Sequence, residues 1–354
     1  MTQQNDASVR VLIPPVIRPD APVLGSVVHS LHGDSMGTSW SVKFAAHPEC
    51  DLQRVQGVIQ QALETVDGQM STWRADSDLS RFNTAPPGTW VALPSPLFEV
   101  VSCALEVAQQ SGGAFDPTAG PLVNLWGFGP GGSFRAADHR PPAPDAIRNA
   151  LAQCGWQRVQ VDSTNKTVQQ PGGVYLDLSG IAKGYAVDLV TRALSDAGYA
   201  KTLVEIGGEL RGSGVKPNAQ PWWVALETPR YDADLDMSVP AFEMETRVAL
   251  HELSIATSGN YRRSFRNGEK LAAHTIDPRS GYPVEYTADH ALASVTVLHP
   301  ECMLADAYST ALTVLGAEAG LAYANRHGIA ANFISLTDAG WQEACSDNFL
   351  AMME

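Results

Sequence analysis

The stretch LADAYSTALTVLG, residues 304 to 316, reads as a helix whose two faces differ in kind. On a repeat of 3.6 residues, Asp306, Ser309, Thr310 and Thr313 fall on one face. Leu304, Tyr308, Leu312 and Leu315 fall on the other. The polar stripe holds one acid and three short hydroxyls, with no Lys, Arg or Glu. These are hard oxygen donors of the kind that hold Mg²⁺, and the spacing of Asp306 and Thr310 lets both reach one cation. The plain alternative is a small polar helix face turned to solvent.

Three further stretches carry chemistry. In YLDLSGIAKGYAVD, residues 175 to 188, a strand runs into a helix, with Asp177, Ser179 and Gly180 at the junction and Lys183 in the first helical turn. Free N–H groups and the positive end of the helix dipole suit such a junction to a phosphate, and Gly180 allows close backbone approach. The competing reading is a helix capped by Asp177 or Ser179. In HTIDPRSGYPV, residues 274 to 284, period-two spacing puts His274 and Ile276 on one strand face. A histidine there can serve as a general base near neutral pH or simply be a satisfied polar group. The third, GGELRGSG at 207 to 214, has the glycine density of a phosphate loop but lacks the GxGxxG order and the GK[ST] ending, so it reads as a tight turn between strands. Trp73, Phe115, Trp126 and Phe128 could stack a planar ring or belong to the core.

The elements that must position these residues are mixed. DLQRVQGVIQQALETVDGQM places Leu52, Val55, Ile59, Leu63 and Val66 on one helical face, and SPLFEVVSCALEVAQQSGG ends on Gly112 and Gly113, a helix stop. TSWSVKFAA alternates as a strand, RVQVDS, TVQQ and VYLDLS follow as a meander, and residues 201 to 298 are mostly strands and turns. Residues 128 to 146 are rich in Gly and Pro and read as a loop. Helices and antiparallel-looking strands that do not strictly alternate indicate an α+β fold. Residues 1 to 30 read as an extended arm with little structure of its own, and 31 to 354 as one domain.

Composition narrows the function classes. A net charge of −14 argues against a nucleic-acid or anionic membrane surface, both of which need basic patches. Cys50, Cys103, Cys154, Cys302 and Cys345 form no CxxC pair, so neither a zinc site nor a disulfide scaffold is expected. No apolar run reaches the roughly 20 residues of a membrane span. The N-terminus has no signal-peptide pattern, which makes a cytoplasmic protein the expectation, or a periplasmic or anchored one if a leader has been removed.

Taken in order, SMGTSW, STWRADSDLSRFN, GGAFDPTAGPL, DLSGIAKGYAVD, EIGGELRGSG, IATSGNYRR, HTIDPRSG and ADAYSTAL resemble the ApbE-type FAD:protein FMN transferase family over about residues 36 to 316. The resemblance implies a two-lobed α+β fold with the active site between the lobes. It implies Mg²⁺-dependent transfer of the FMN half of FAD to a Ser or Thr hydroxyl of an acceptor flavoprotein, with AMP leaving. Carried over position by position, the metal ligands are Gly180 (through its carbonyl), Asp306 and Thr310, with Ser309 adjacent. Flavin-nucleotide contacts fall to Met36, Trp73, Ala114, Phe115, Asp116, Asp177, Lys183 and Ile276, and the general base to His274. Where some members carry a second acid, as DxxDT, this chain has DAYST, which leaves the site one negative charge short. A Mg²⁺-dependent FAD pyrophosphatase and a flavin carrier without chemistry are the alternatives.

Overall fold

The computed structural model describes residues 9–15, 17, 20–130, 132, 140–229, 242, 244–259, 264–267, 270–285, 291–337 and 339–353. An eight-stranded sheet organises them. Its strands run, edge to edge, as Gly340–Cys345, Ala330–Thr337, Ala291–His299, Leu253–Gly259, Glu209–Ser213, Thr202–Ile206, Thr38–Ala46 and Val27–Ser35. Every neighbouring pair in it is antiparallel.

The helices Ala182–Asp196 and Cys302–Leu315 pack against each other and against one face of this sheet, and Leu52–Met70 packs on Ala182–Asp196 as a further layer. Strand alternation supplies that face: Trp40, Val42 and Phe44, with Val204 and Ile206, meet Val55, Ile59, Leu63, Val187 and Val190 in the largest core. Asp51 caps Leu52–Met70 by accepting from the Arg54 N–H at 3.1 Å, which fixes where that helix starts. Leu52, expected on the apolar face, is 40% exposed because it occupies the first helical position, ahead of the packed turns.

The opposite face of the sheet carries Leu253, Ile255 and Leu298, covered by Trp222, Val248, Leu12, Phe349 and Met352. Leu12, Trp222 and Val248 of this cover belong to a second sheet, in which Val9–Leu12 pairs parallel to Glu245–Val248, and Phe349 comes from the C-terminal helix Asp347–Leu350. The segment expected as an unstructured arm thus contains a paired strand, with Leu12 fully buried, and Val27–Ser35 also begins inside it. Residues 1–8, 16, 18 and 19 of that segment lie outside the described residues. So do 131 and 133–139 of the expected loop and 260–263 of IATSGNYRR.

Two smaller sheets flank the main one, Trp90–Ala92 with Thr167–Gln169 and Gln160–Asp162, and Ser264–Asn267 with Lys270–Asp277 and Tyr282–Glu285. Leu122, Trp126, Ile147, Ala150 and Ile276 form a satellite core beside the latter. The meander strand expected at VYLDLS is reduced to one isolated bridge, Tyr175 to Ala119. Its backbone is used elsewhere: the Asp177 N–H donates to the Pro117 carbonyl at 2.8 Å, and Asn83 pairs with both polar backbone groups of Leu176. The α+β reading holds, and among the described residues no helix is long and apolar enough to cross a membrane.

Arg10 ties the N-terminal strand to the far edge of the main sheet. Its guanidinium donates to both Glu343 oxygens, at 2.6 and 2.8 Å, and to Thr246 Oγ1 at 2.8 Å. Burial works to raise the Glu343 carboxyl, but Arg10 and Asn332 hold it below the ordinary range. A carboxyl held low stabilises the fold above its ordinary pKa, and that stability drains as pH falls through the lowered value. Glu343→Gln is therefore expected to cost about 1–3 kcal/mol at pH 7, between the values for exposed and buried pairs. Urea unfolding at pH 7 and at pH 3 checks this: the difference from wild type shrinks at the lower pH, and equal stabilities at pH 7 would refute the tie.

Candidate active site

Two two-residue hairpin turns point at the N-terminal end of helix Ala182–Asp196. One is Met36–Gly37, closed by Ser35 opposite Thr38, with φ of 50° and 70°. Paired positive φ values match the right-handed twist of a hairpin, and a methionine there accepts a strained conformation. The other is Gly207–Gly208, closed by Ile206 opposite Glu209, with φ of 64° and 101°. This is the tight turn that the sequence indicated in GGELRGSG. The turns touch, since a Cβ on Gly207 would stand 3.1 Å from the Thr38 side chain and 3.3 Å from Lys183 Cδ.

A cavity of about 390 Å³ opens beside these turns. Ten of the thirteen residues singled out in the sequence line it: Ala114, Phe115, Asp116, Asp177, Gly180, Lys183, His274, Ile276, Asp306 and Thr310. Met36 and Trp73 line an adjoining cavity of about 280 Å³, which shares Thr38, Lys183 and Gly207 with the first. Trp73 is 68% exposed at its mouth, and Phe128 forms another part of its wall. The Phe128 ring meets His274 edge-on at 6.3 Å. Trp126 belongs to the core instead: it is 1% exposed and donates from Nε1 to the Gly281 carbonyl at 2.9 Å.

The polar stripe of Cys302–Leu315 faces inward, so the solvent-face reading is set aside: Asp306 is 4% exposed, Ser309 1% and Thr313 0%. Ser309 lies behind the cavity wall, donating to the Asp306 carbonyl at 2.9 Å and meeting Ser258 Oγ at 2.7 Å. Thr313 donates to the Ser309 carbonyl at 2.8 Å. Thr310 remains on the wall, and a Cβ on Gly180 would stand 3.0 Å from its Oγ1.

A buried charge cluster sits at the centre. Asp306 Oδ2 accepts the Gly184 N–H at 3.0 Å, and Oδ1 lies 3.9 Å from Lys183 Nζ. Lys183 also donates to Glu209 Oε1. Burial pushes the Asp306 and Glu209 carboxyls upward, and Lys183 opposes both shifts. For Lys183 itself burial favours the neutral amine, yet the two carboxylates hold the ammonium above its ordinary value. Glu209, absent from the sequence-derived set, lines the cavity with its Oε2 buried and without a hydrogen-bond partner among the described residues. Its signal was present in strand Glu209–Ser213, where Glu209 and Arg211 alternate on the helix-covered face: a charge at a buried strand position requires a partner.

The other acids on the wall are already engaged. Asp116 accepts from the N–H and hydroxyl of Thr118 at 2.8 and 2.6 Å and from the Trp156 N–H at 3.2 Å, locking its loop, while burial raises its pKa. Asp177 accepts the Ser179 N–H at 2.8 Å in the turn before the helix. Neither Asp177 nor Ser179 caps Ala182–Asp196, whose own N-cap residue, Ile181, makes no side-chain cap bond. No group of three or more His, Cys, Asp or Glu side chains able to hold a metal occurs among the described residues.

The architecture is shared with solved flavin transferases. The ApbE from Pseudomonas stutzeri, a flavinyl transferase in its apo form, matches with a TM-score of 0.81 and 36% identity, covering 94% of this chain and 98% of that one. The family model described as the ApbE family matches residues 36–333. The FAD:protein FMN transferase of Vibrio cholerae is 36% identical over 320 residues, 90% of this chain and 91% of its own length. That of Haemophilus influenzae is 34% identical over 336 residues, 92% of each. Fold and relatives together define a transferase enzyme. The chain belongs to the ApbE family.

The position of Asp306 rests on close contact between two helices. A Cβ on Gly184 would stand 2.3 Å from the Cys302 carbonyl oxygen and 2.8 Å from Asp306 Cβ. Backbone cannot yield as a flexible side chain does, so Gly184→Ala is expected to cost about 1–3 kcal/mol by overpacking. Chemical denaturation measures this, and a loss under about 0.5 kcal/mol, the size of an ordinary surface substitution, would show that the helices have room to spare.

Proposed function

We propose that this chain transfers the FMN moiety of FAD to a Ser or Thr hydroxyl of an acceptor flavoprotein, in a Mg²⁺-dependent reaction that releases AMP. The observation that carries the reading is the convergence on one cavity of a buried acid with a neighbouring threonine hydroxyl, a glycine junction ahead of a helix N-terminus, and a histidine. The names of the relatives, FAD:protein FMN transferase, support it.

The donor set fits the metal. Asp306 would give one carboxylate, Thr310 a hydroxyl one helical turn on, and Gly180, on the same cavity wall, its main-chain carbonyl, all hard oxygens. The lack of a Cβ at Gly180 leaves Thr310 its space. A single carboxylate among these residues would suit Mg²⁺, which commonly keeps few protein ligands. When bound, Mg²⁺ supplies charge neutralisation for the pyrophosphate.

The chain's own groups do the rest. The N-terminal end of helix Ala182–Asp196 favours the phosphates through its dipole, and Lys183, kept protonated by its two carboxylates, adds positive charge beside them. Two joined cavities suit a ligand with two bulky ends, and Met36, Phe115, Trp73 and Ile276 give apolar surface for a flat ring. His274 Nε2 or Nδ1 takes the proton from the incoming hydroxyl. The hydroxyl oxygen attacks the flavin-side phosphorus, the phosphoester forms, and the phosphoanhydride bond to AMP breaks in line with it.

The test is incubation of the full chain with FAD, Mg²⁺ and a candidate acceptor, with the acceptor weighed by mass spectrometry. The expected result is a mass increase of one FMN that survives denaturation. His274→Ala should lose at least about a hundredfold in rate, the usual share of a general base, while still binding FAD. Asp306→Ala should lose Mg²⁺-dependent turnover. An unmodified acceptor with free FMN and AMP would replace this reading by the pyrophosphatase one, and intact FAD by the carrier.

A further inference from the structure

We propose that Asp188 is a positioning residue that holds Asp306 in register for its cation; this rests on the reading of Asp306 as a metal ligand. Asp188 closes the DLSGIAKGYAVD stretch and takes no part in the chemistry described above. It is 4% exposed and lies one helical turn after Gly184 on Ala182–Asp196. Its Oδ2 accepts the Met303 N–H at 2.9 Å, in the first turn of Cys302–Leu315. That helix has no side-chain cap from its own N-cap residue, Glu301, so Asp188 satisfies one of its orphan donors from across the helix interface. A carboxylate also favours the positive end of the helix dipole.

Two rungs therefore join the same pair of helices. Asp188 receives from Met303, and Gly184 donates to Asp306 one turn away. With Met303 fixed, Asp306 lies three residues on, and the helix cannot rotate or slide without breaking both rungs. Arg211 fixes Asp188 in turn: its Nη1 donates to Asp188 Oδ1 at 2.8 Å and to the Pro300 carbonyl at 2.5 Å, just ahead of the helix. Strand Glu209–Ser213 thus braces the site twice, through Glu209 to Lys183 and through Arg211 to Asp188. Groups behind metal ligands act this way, orienting the ligand without touching the ion.

The experiment titrates Mn²⁺, which favours the same oxygen donors as Mg²⁺, into the full chain and follows free Mn²⁺ by electron paramagnetic resonance. Wild type should bind one Mn²⁺ at the site, lost in Asp306→Ala. Asp188→Asn, close in shape, should keep one site per folded molecule but bind about tenfold more weakly, as loss of such support commonly does. Hydrogen exchange in the 302–306 segment should quicken in the same variant. An unchanged Mn²⁺ affinity in Asp188→Asn would make Asp188 a purely structural cap and overturn the proposal. Should that variant fail to fold, Arg211→Gln decides: weaker Mn²⁺ binding supports the brace, and wild-type affinity overturns it. If Asp306→Ala binds Mn²⁺ as wild type does, the metal-site reading itself fails, and the positioning role falls with it.

Discussion

A carboxylate at residue 306 is buried to 4% exposure, and much of the surrounding architecture serves to make that tolerable. An isolated buried carboxylate would protonate before it stayed charged. Here a main-chain N–H from Gly184 and the ammonium of Lys183 compensate it, and both come from the first turn of one helix. That arrangement requires the two helices to approach within backbone contact, which the absent Cβ of Gly184 allows. Lys183 brings a second acid with it, Glu209, so the cluster of one cation and two acids carries a formal surplus of one negative charge. Such a surplus favours an added cation over an added anion, and a phosphate ligand is acceptable there only with positive charge accompanying it.

The sheet makes this local chemistry precise in space. Hairpin tips Met36–Gly37 and Gly207–Gly208 come from adjacent strand pairs and end at the same level, against the start of helix Ala182–Asp196. Strand Leu253–Gly259 sends Ser258 under the helix Cys302–Leu315, where it meets Ser309 and Thr310. His274 and Ile276 arrive from a separate small sheet, beside the satellite core that contains Ile276. The candidate base and the candidate metal ligands thus sit on different packing units with the cavity between them.

Much of this was legible in the sequence because periodicity reports burial. The helices Leu52–Met70, Ser95–Gln110, Ala182–Asp196 and Cys302–Leu315 occur where the sequence places them, as do the strand Thr38–Ala46 and a strand through His274 and Ile276. The failures have physical causes. VYLDLS has strand composition, but its backbone groups are taken by Asn83 and Pro117, so no ladder forms. Helix Ala317–His327 follows Cys302–Leu315 after the single residue Gly316, and the hairpin partner Gly340–Cys345 alternates weakly. Glu209 directly follows the glycine pair of a tight turn, and in sequence that pair is the stronger local signal. The importance of Glu209 depends on a lysine 26 residues away in sequence, a pairing that only the fold reveals.

The orientation of the 306–313 stripe is the least legible feature, because Leu304, Tyr308 and Leu315 on the apolar face stay half-buried while Asp306, Ser309 and Thr313 are buried, the reverse of an ordinary amphipathic helix. What resolves it is hydroxyl satisfaction. A buried Ser or Thr needs an acceptor, and inside a helix the carbonyl three or four residues back supplies one. Thr313 uses Ser309, and Ser309 uses Asp306, so both hydroxyl protons are engaged inside the helix itself. Thr310 differs: its nearest hydroxyl partner, Ser258, is at 3.5 Å, and its Oγ1 borders the cavity. Of four polar residues on one stripe, two donate to carbonyls of their own helix and two are left to face the cavity. A second acid in place of Ser309 would have brought another charge into that interior. The serine keeps the position small and neutral, and leaves the negative charge of this helix face on Asp306 alone.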